Sequence, residues 1–316
     1  MSKTIDLGQQ ITLTDVYDLG MEQRTGSYLF HERDLTIVET SASPSIPYLL
    51  KGLKSLSINP RDIKYIIVTH IHLDHAGGVG LLLEKCPNAK VVVHPKGKRH
   101  LANPSKLIAG ARAVYGDQFD ELFDPIVPVP EERLITKEDG ATLQIGENRT
   151  LTFIDSPGHA KHHFSIYDPV SNGVFTGDTI GVYYPQTKTN GFEFVLPSTS
   201  PNQFDPDAML NSLEKIKNLN VDQIFFGHYG RTENPQLIYE QIWYWLPKFV
   251  DAGKKVMEEK PDSSLDEKVG AVSNELLRSV TEFLAEKGID QDDDVFKYIN
   301  VDMQVCAMGI VDYLLK

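Results

Sequence analysis

The chain has 316 residues, 41% of them hydrophobic, which is enough to bury a large core and to carry one catalytic domain plus an appendage. Its 31 basic and 44 acidic side chains leave a formal charge of −13, which argues against a nucleic-acid partner because phosphate recognition rests on fields of Lys and Arg. Two cysteines far apart, no apolar leader in Met1–Gln10 and no run of eighteen apolar residues argue against a disulfide scaffold and a membrane partner, so a cytoplasmic protein is expected.

Short β-branched and aromatic runs predict strands over Ile11–Val16, Tyr28–His31 and Leu35–Thr40, and Pro47–Leu56 carries helical periodicity. Lys64–Thr69 is a further strand-like run, and it leads straight into Thr69-His-Ile-His-Leu-Asp-His-Ala-Gly-Gly78. Here three imidazoles and a carboxylate fall within six positions, and zinc and its neighbours take imidazole nitrogen and carboxylate oxygen. His70, His72, Asp74 and His75 are spaced i, i+2, i+4, i+5, whereas a ligand pair on one helix face sits at i and i+4. The set is therefore expected on a loop at a strand end, before a helix over Ala76–Glu84 that is entered through glycines.

Lys90–His94 reads as a strand ending at Pro95, with His94 as hydrogen-bonded structure and Lys96, Lys98 and Arg99 as a solvated helix start. Ser105–Tyr115 reads as a helix, and the loop through Pro125, Pro128 and Pro130 as a wall beside a pocket. Leu151–Ser156 is strand-like and is followed by Pro157-Gly158 and then His159; Gly173–Gly177 is followed by Asp178; Asp222–Gly227 is followed by His228. The pattern repeats an apolar strand, a breaker and a ligand-type residue. His163, beside an expected strand over Phe164–Asp168, would orient a site from behind, while His162 is expected to face solvent. In the irregular stretch 183–203, Tyr183 and Tyr184 follow Asp178 closely, and a phenol there would be placed to hydrogen-bond a developing oxyanion. Beyond His228 the character turns helical: Leu237–Glu259, which Pro247 should kink, then Ser264–Lys287 and Asp294–Leu315. Cys86 and Cys306 are expected to be small core residues.

The ordered set His70-x-His72-x-Asp74-His75, His159, Asp178 and His228 resembles the metallo-β-lactamase superfamily of binuclear hydrolases over roughly residues 10–230. The resemblance implies an α/β fold, an αββα sandwich; together with the helical spacing beyond His228, this divides the chain into a catalytic domain over 1–235 and a C-terminal helical appendage over 236–316. It further implies one metal held by His70, His72 and His159, a second held by Asp74, His75 and His228, and Asp178 bridging them. Two dications close together need anionic ligands between them, which Asp74 and Asp178 supply. One departure stands out. Many relatives carry Asp-Thr-Gly near the end of an early strand, whereas this chain reads Ile37-Val-Glu-Thr-Ser41, which leaves Glu39 to brace the site with different geometry.

The expected activity is hydrolysis. Two divalent metal ions, zinc in the first place with iron or manganese as alternatives, would generate a bridging hydroxide that attacks an ester or lactone carbonyl, with Asp74 orienting it and passing the proton to the leaving group. The resemblance includes N-acyl-homoserine lactonases and hydroxyacylglutathione hydrolases, so a glutathione thioester is the alternative substrate. An iron-dependent redox enzyme on the same fold is the alternative class. The expected partner is a small-molecule ester or lactone, and the appendage would serve either simple packing, a cover for the pocket or a homodimer contact.

Overall fold

Ile11, Leu13, Tyr28 and Phe30 alternate along two neighbouring strands in the register Ile11 with Phe30 and Leu13 with Tyr28, so that one face of the pair enters a shared core. Extending that face builds the first of two sheets. In the computed structural model, which describes residues 3–316, this sheet has 7 strands in sequence order: β1 (Thr4–Asp6), β2 (Ile11–Asp15), β3 (Gly26–Phe30), β4 (Thr36–Val38), β5 (Tyr65–Ile67), β6 (Lys90–Val93) and β7 (Leu134–Thr136). The first four are antiparallel. From β4 to β7 the pairing is parallel. Each parallel pair is joined by helical crossovers: α1 (Ile46–Ser55), then α2 (Leu73–Ala76) and α3 (Val79–Leu83), then α4 (Pro95–Ala102), α5 (Ser105–Tyr115) and α6 (Phe119–Phe123).

The second sheet contains β8 (Thr142–Gln144), β9 (Thr150–Asp155), β10 (Phe164–Asp168) and β11 (Gly173–Phe175). The chain then leaves for the hairpin β12 (Val182–Tyr183) and β13 (Val195–Leu196) and for helix α7 (Pro206–Lys217), and returns to the sheet at β14 (Gln223–Phe225) and β15 (Arg231–Thr232). Leu151, Phe153, Phe164, Ile166, Phe175 and Phe225 meet the inner face of the first sheet in one core, with Phe175 and Phe225 stacked at 4.4 Å. On the other face of the first sheet, Leu29, Ile37, Ile66, Val91 and Val93 pack with Ile46, Leu49 and Leu53 of α1 and Val79 and Leu82 of α3. This layering is the sandwich the sequence pattern implied.

The chain divides into two compact units. The first holds both large sheets: the chain up to Asp155, His162–Gly177 and Val221–Glu233. The second holds Ser156–Lys161, Asp178–Asn220 and Asn234–Lys316, and so joins the C-terminal helices to the stretch after Asp178. Its helices are α7, α8 (Pro235–Glu259), α9 (Leu265–Glu286) and α10 (Val295–Leu314). Asn234 caps α8 by accepting from Leu237 N, and a capping box of Ser264 and Glu267 opens α9. Trp245, Phe249, Val272, Leu276, Val280, Ile299, Met303 and Ile310 form its core with Tyr184, Phe194 and Leu196. Pro247 does not end α8; Trp245, Leu246, Phe249 and Val250 are buried on either side of it, so packing outweighs the one hydrogen bond that proline removes. Cys86 and Cys306 are buried, each in its own unit's core, and burial pushes both thiols up to about 12. Among the described residues, no helix is long and apolar enough to cross a membrane.

Candidate metal centre

The first ligand loop begins where β5 ends. Ile67 is the last strand residue, Thr69 N donates to Glu39 Oε1 at 2.7 Å, and His72 serves as the non-helical residue before α2. The four-residue helix α2 is too short to persist by itself, and it is held by Thr40 N and Ser41 N, both donating to His75 O at 3.1 Å. This tether turns Asp74 and His75 toward His228, which follows β14 through Gly227. A Cβ on Gly227 would lie 2.7 Å from His75 Cε1 and 3.2 Å from Gly177 Cα, so only glycine lets the two ligand segments approach this closely.

Within the first unit, Asp74 Oδ2 lies 3.6 Å from His75 Nε2 and 3.6 Å from His228 Nε2. These separations are too long for hydrogen bonds. They match the edge of about 3.4 Å expected between donors bound at about 2.1 Å to one tetrahedral metal. One donor atom from each of the three residues lies within 4.8 Å of the other two. His70 Nε2 and His72 Nδ1 stand 3.1 Å apart in the same unit, and the His70 and His75 rings are 4.2 Å apart. His70, His75 and His228 are buried, whereas Asp74 retains 26% exposure, which leaves solvent a way to its carboxylate.

The second unit carries the same geometry on a smaller scale. His159 Nε2 lies 3.6 Å from Asp178 Oδ2, and both residues are buried. His159 Nδ1 donates to Ser198 O at 2.9 Å, while Ser198 Oγ donates to Asp178 Oδ2 at 3.1 Å. Asp178 is reached through Gly177, whose φ of +48° is costly for other residues.

His75 and His159 each show one nitrogen to a carboxylate at 3.6 Å and the other to an orienting hydrogen-bond partner, the arrangement by which proteins fix the tautomer of a metal-binding imidazole. His75 Nδ1 donates to Glu39 Oε2 at 2.5 Å, and His70 Nδ1 lies 3.1 Å from Thr69 Oγ1. Glu39 sits at φ 65° and is buried, so the longer acid in place of aspartate spans from Thr69 N to His75. Asp18 is also buried here, and burial pushes its carboxyl up from the ordinary range, opposed by Arg24.

The remaining sequence-predicted residues are held as follows. Tyr183 donates to Glu193 Oε1 at 2.7 Å and Tyr184 to Asp302 Oδ2 at 2.8 Å, bonds that tie each phenol to the rest of the second unit. Burial raises the Tyr183 hydroxyl well above its usual range. His162 does not face solvent: it is 5% exposed, its ring edge-on to His72 at 5.4 Å. His163 is buried 5.0 Å from the His70 ring. His94 is structural, accepting from Lys96 N at the start of α4 and donating to Asp155 Oδ1 at 2.9 Å. Asp18, Thr25 and Ser198 carried no sequence signal; short polar residues outside any motif gain meaning only from neighbours distant in sequence.

The profile of the family described as "Metallo-beta-lactamase superfamily" matches residues 23–228. ST1585 of Sulfurisphaera tokodaii, a metallo-beta-lactamase fold-containing protein, is 29% identical over 223 residues, 70% of this chain and 76% of that protein. The solved structure of ST1585 from Sulfolobus tokodaii superposes with a TM-score of 0.61 at 24% identity, covering 74% of this chain and 85% of that one. The N-acyl homoserine lactonase AttM of Azorhizobium caulinodans is 28% identical over 178 residues, 56% of this chain and 62% of its own. A putative diflavin flavoprotein A 2 of Synechocystis is 23% identical over 295 residues, 87% of this chain but only 45% of the flavoprotein. With the profile enclosing every ligand-type residue just described, the chain belongs to the metallo-beta-lactamase superfamily.

Proposed function

We propose that this protein is a binuclear metal-dependent hydrolase acting on an ester or lactone carbonyl. The observation that carries the reading is the Asp74–His75–His228 cluster, whose donor atoms stand at metal-edge rather than hydrogen-bond distances. His75, His228 and Asp74 would hold one metal. His70, His72 and His159 would hold the other, with Asp178 shared between them, as the family resemblance implies. The donor set of imidazole and carboxylate without thiolate suits zinc, with iron or manganese as alternatives.

When bound, such metals lower the pKa of water and polarise a carbonyl oxygen. The chain's own contribution is placement. Asp74 keeps an oxygen toward both histidines and is partly open to solvent, so its carboxylate is positioned to orient the attacking water and carry its proton to the leaving oxygen. Glu39 keeps Nε2 of His75 available by accepting the hydrogen bond from Nδ1–H, which holds the ring proton on Nδ1. Likeness to the lactonase AttM supports an ester or lactone substrate, and likeness to the diflavin flavoprotein supports the competing iron-dependent redox reading. Imidazole at His72 favours the hydrolase. A small-molecule substrate and a cytoplasmic setting belong to this proposal, as does a homodimer.

Elemental analysis of protein purified without added metal, beside hydrolysis assays on lactones, esters and thioesters, tests the reading. Two equivalents of zinc with lactone or ester turnover are expected. Bound iron with oxygen consumption and no hydrolysis would replace the hydrolase with the redox enzyme.

A further inference from the structure

Behind His228 lies a polar chain that the hydrolase reading does not use. His228 Nε2 faces Asp74, and its other nitrogen, Nδ1, lies 3.5 Å from Thr25 Oγ1. Thr25 Oγ1 in turn donates to Asp18 Oδ2 at 3.2 Å, while Ser41 Oγ donates to Asp18 Oδ1 at 3.2 Å. His228, Thr25, Asp18 and Ser41 all belong to the first unit and all are buried.

The direction of these bonds is set by what each group can do. An ionised carboxylate only accepts, and a threonine hydroxyl has one proton to give. With that proton committed to Asp18, Thr25 offers His228 a lone pair, which selects the His228 tautomer protonated at Nδ1 and unprotonated at Nε2. The backbone is arranged to bring these groups together. Tyr17 and Leu19, which flank Asp18, are both left-handed at φ 52°, a conformation that costs a non-glycine residue free energy and aims the Asp18 carboxylate inward. Gly26 N donates to Gly227 O at 3.2 Å, which fixes Thr25 against the His228 turn.

The geometry points to Asp18 and Thr25 as positioning residues for His228, a relay in which a carboxylate acts on the imidazole through one hydroxyl, as Glu39 acts on His75 directly. The assignment rests on the proposal that Asp74, His75 and His228 hold a metal. A different role for Asp18, as counter-ion to Arg24, is also present in the structure, since Arg24 Nε lies 3.6 Å from Asp18 Oδ2. The two roles separate experimentally, because Thr25→Val removes the relay and keeps the ion pair.

The test compares wild type, Thr25→Val, Thr25→Ser and Asp18→Asn as full-length proteins. Zinc is titrated against a chromophoric chelator, and the His228 tautomer is read from imidazole nitrogen shifts of the metal-free protein. Thr25→Val is expected to weaken the second zinc equivalent by about 10-fold or more and to mix the His228 tautomers, with the unfolding midpoint little changed. Thr25→Ser should restore both. Asp18→Asn should reproduce the loss, and it serves as the second variant if Thr25→Val folds poorly. Wild-type zinc affinity and an unmixed tautomer in Thr25→Val would overturn the relay. If the wild type itself takes up no second zinc, the hydrolase reading falls, while the tautomer measurement still decides whether Thr25 orients His228.

Discussion

Glu39 joins the start and the end of the first ligand loop with one carboxylate: Oε1 accepts Thr69 N at 2.7 Å and Oε2 accepts His75 Nδ1 at 2.5 Å. An amide can reproduce only part of this, because in Glu39→Gln the side-chain nitrogen would face a donor. Glu39→Gln is therefore expected to reduce zinc affinity at the Asp74–His75–His228 cluster by about 10- to 100-fold, the usual effect of removing a partner behind a metal ligand. Glu39→Ala should in addition cost about 1–3 kcal/mol for the buried Thr69 N–H left without an acceptor. Chelator competition and chemical denaturation measure the two; unchanged affinity in Glu39→Gln would remove the bracing role.

Removal of metal by a chelator should abolish turnover, and zinc should restore it. Asp178→Ala should lose both metal and activity, because Asp178 is the carboxylate facing His159. A variant with wild-type turnover and two bound equivalents would dismiss Asp178 as a shared ligand.

Gly227→Ala introduces a methyl group 2.7 Å from His75 Cε1. Overpacking of this kind costs about 1–3 kcal/mol. Calorimetry should show a lower unfolding temperature, and zinc titration a weaker Asp74–His75–His228 cluster. Full retention of both would show that the turn yields more easily than its packing implies.

Burial holds the His94 imidazole below its ordinary pKa of 6.5, against the opposing pull of Asp155. The unfolded chain thus binds this proton more readily than the native protein. Stability from His94 is complete above pH 6.5 and declines as pH falls from there toward the lower native value. His94→Asn keeps an acceptor for Lys96 N and removes the titration. The stability of wild type minus that of the variant should fall as the pH is lowered from about 7.5 to about 5.5, a span that brackets the unfolded-state value. A flat difference would assign acid sensitivity to other groups.

Tyr184→Phe should lower stability by about 1 kcal/mol or more through loss of the bond to Asp302 and leave the Michaelis constant unchanged. A large fall in kcat without a change in unfolding temperature would return the phenol to the catalytic machinery.

What could be read in the sequence was what is local in the chain. His70, His72, Asp74 and His75 lie beside one strand end, and the repeated run of strand, breaker and ligand-type residue marked His159, Asp178 and His228 for the same reason. Glu39 was visible as a departure from an expected aspartate, but its span from Thr69 to His75 needed the fold. Tyr184 shows the same limit. Its position shortly after Asp178 was visible, but its hydrogen-bond partner Asp302 lies 118 residues further on, a pairing no local pattern can encode. His162 was expected in solvent because nothing nearby in sequence indicated that the His72 ring would cover it.

Tyr28 reaches the His228 turn from β3 of the other sheet: its hydroxyl lies 2.6 Å from Phe226 O and 2.7 Å from Gly230 O, the carbonyls on either side of His228. Ordering a backbone costs about 1–2 kcal/mol per residue in entropy, and a free turn of this kind would incur that cost when an ion arrived. With the Tyr28 hydroxyl shared between these two carbonyls, the His228 turn is held by the fold, and an ion bound there would meet it already ordered. Cation uptake there should carry a small entropic penalty, and the turn's amides should exchange with solvent about as slowly as the strands around them.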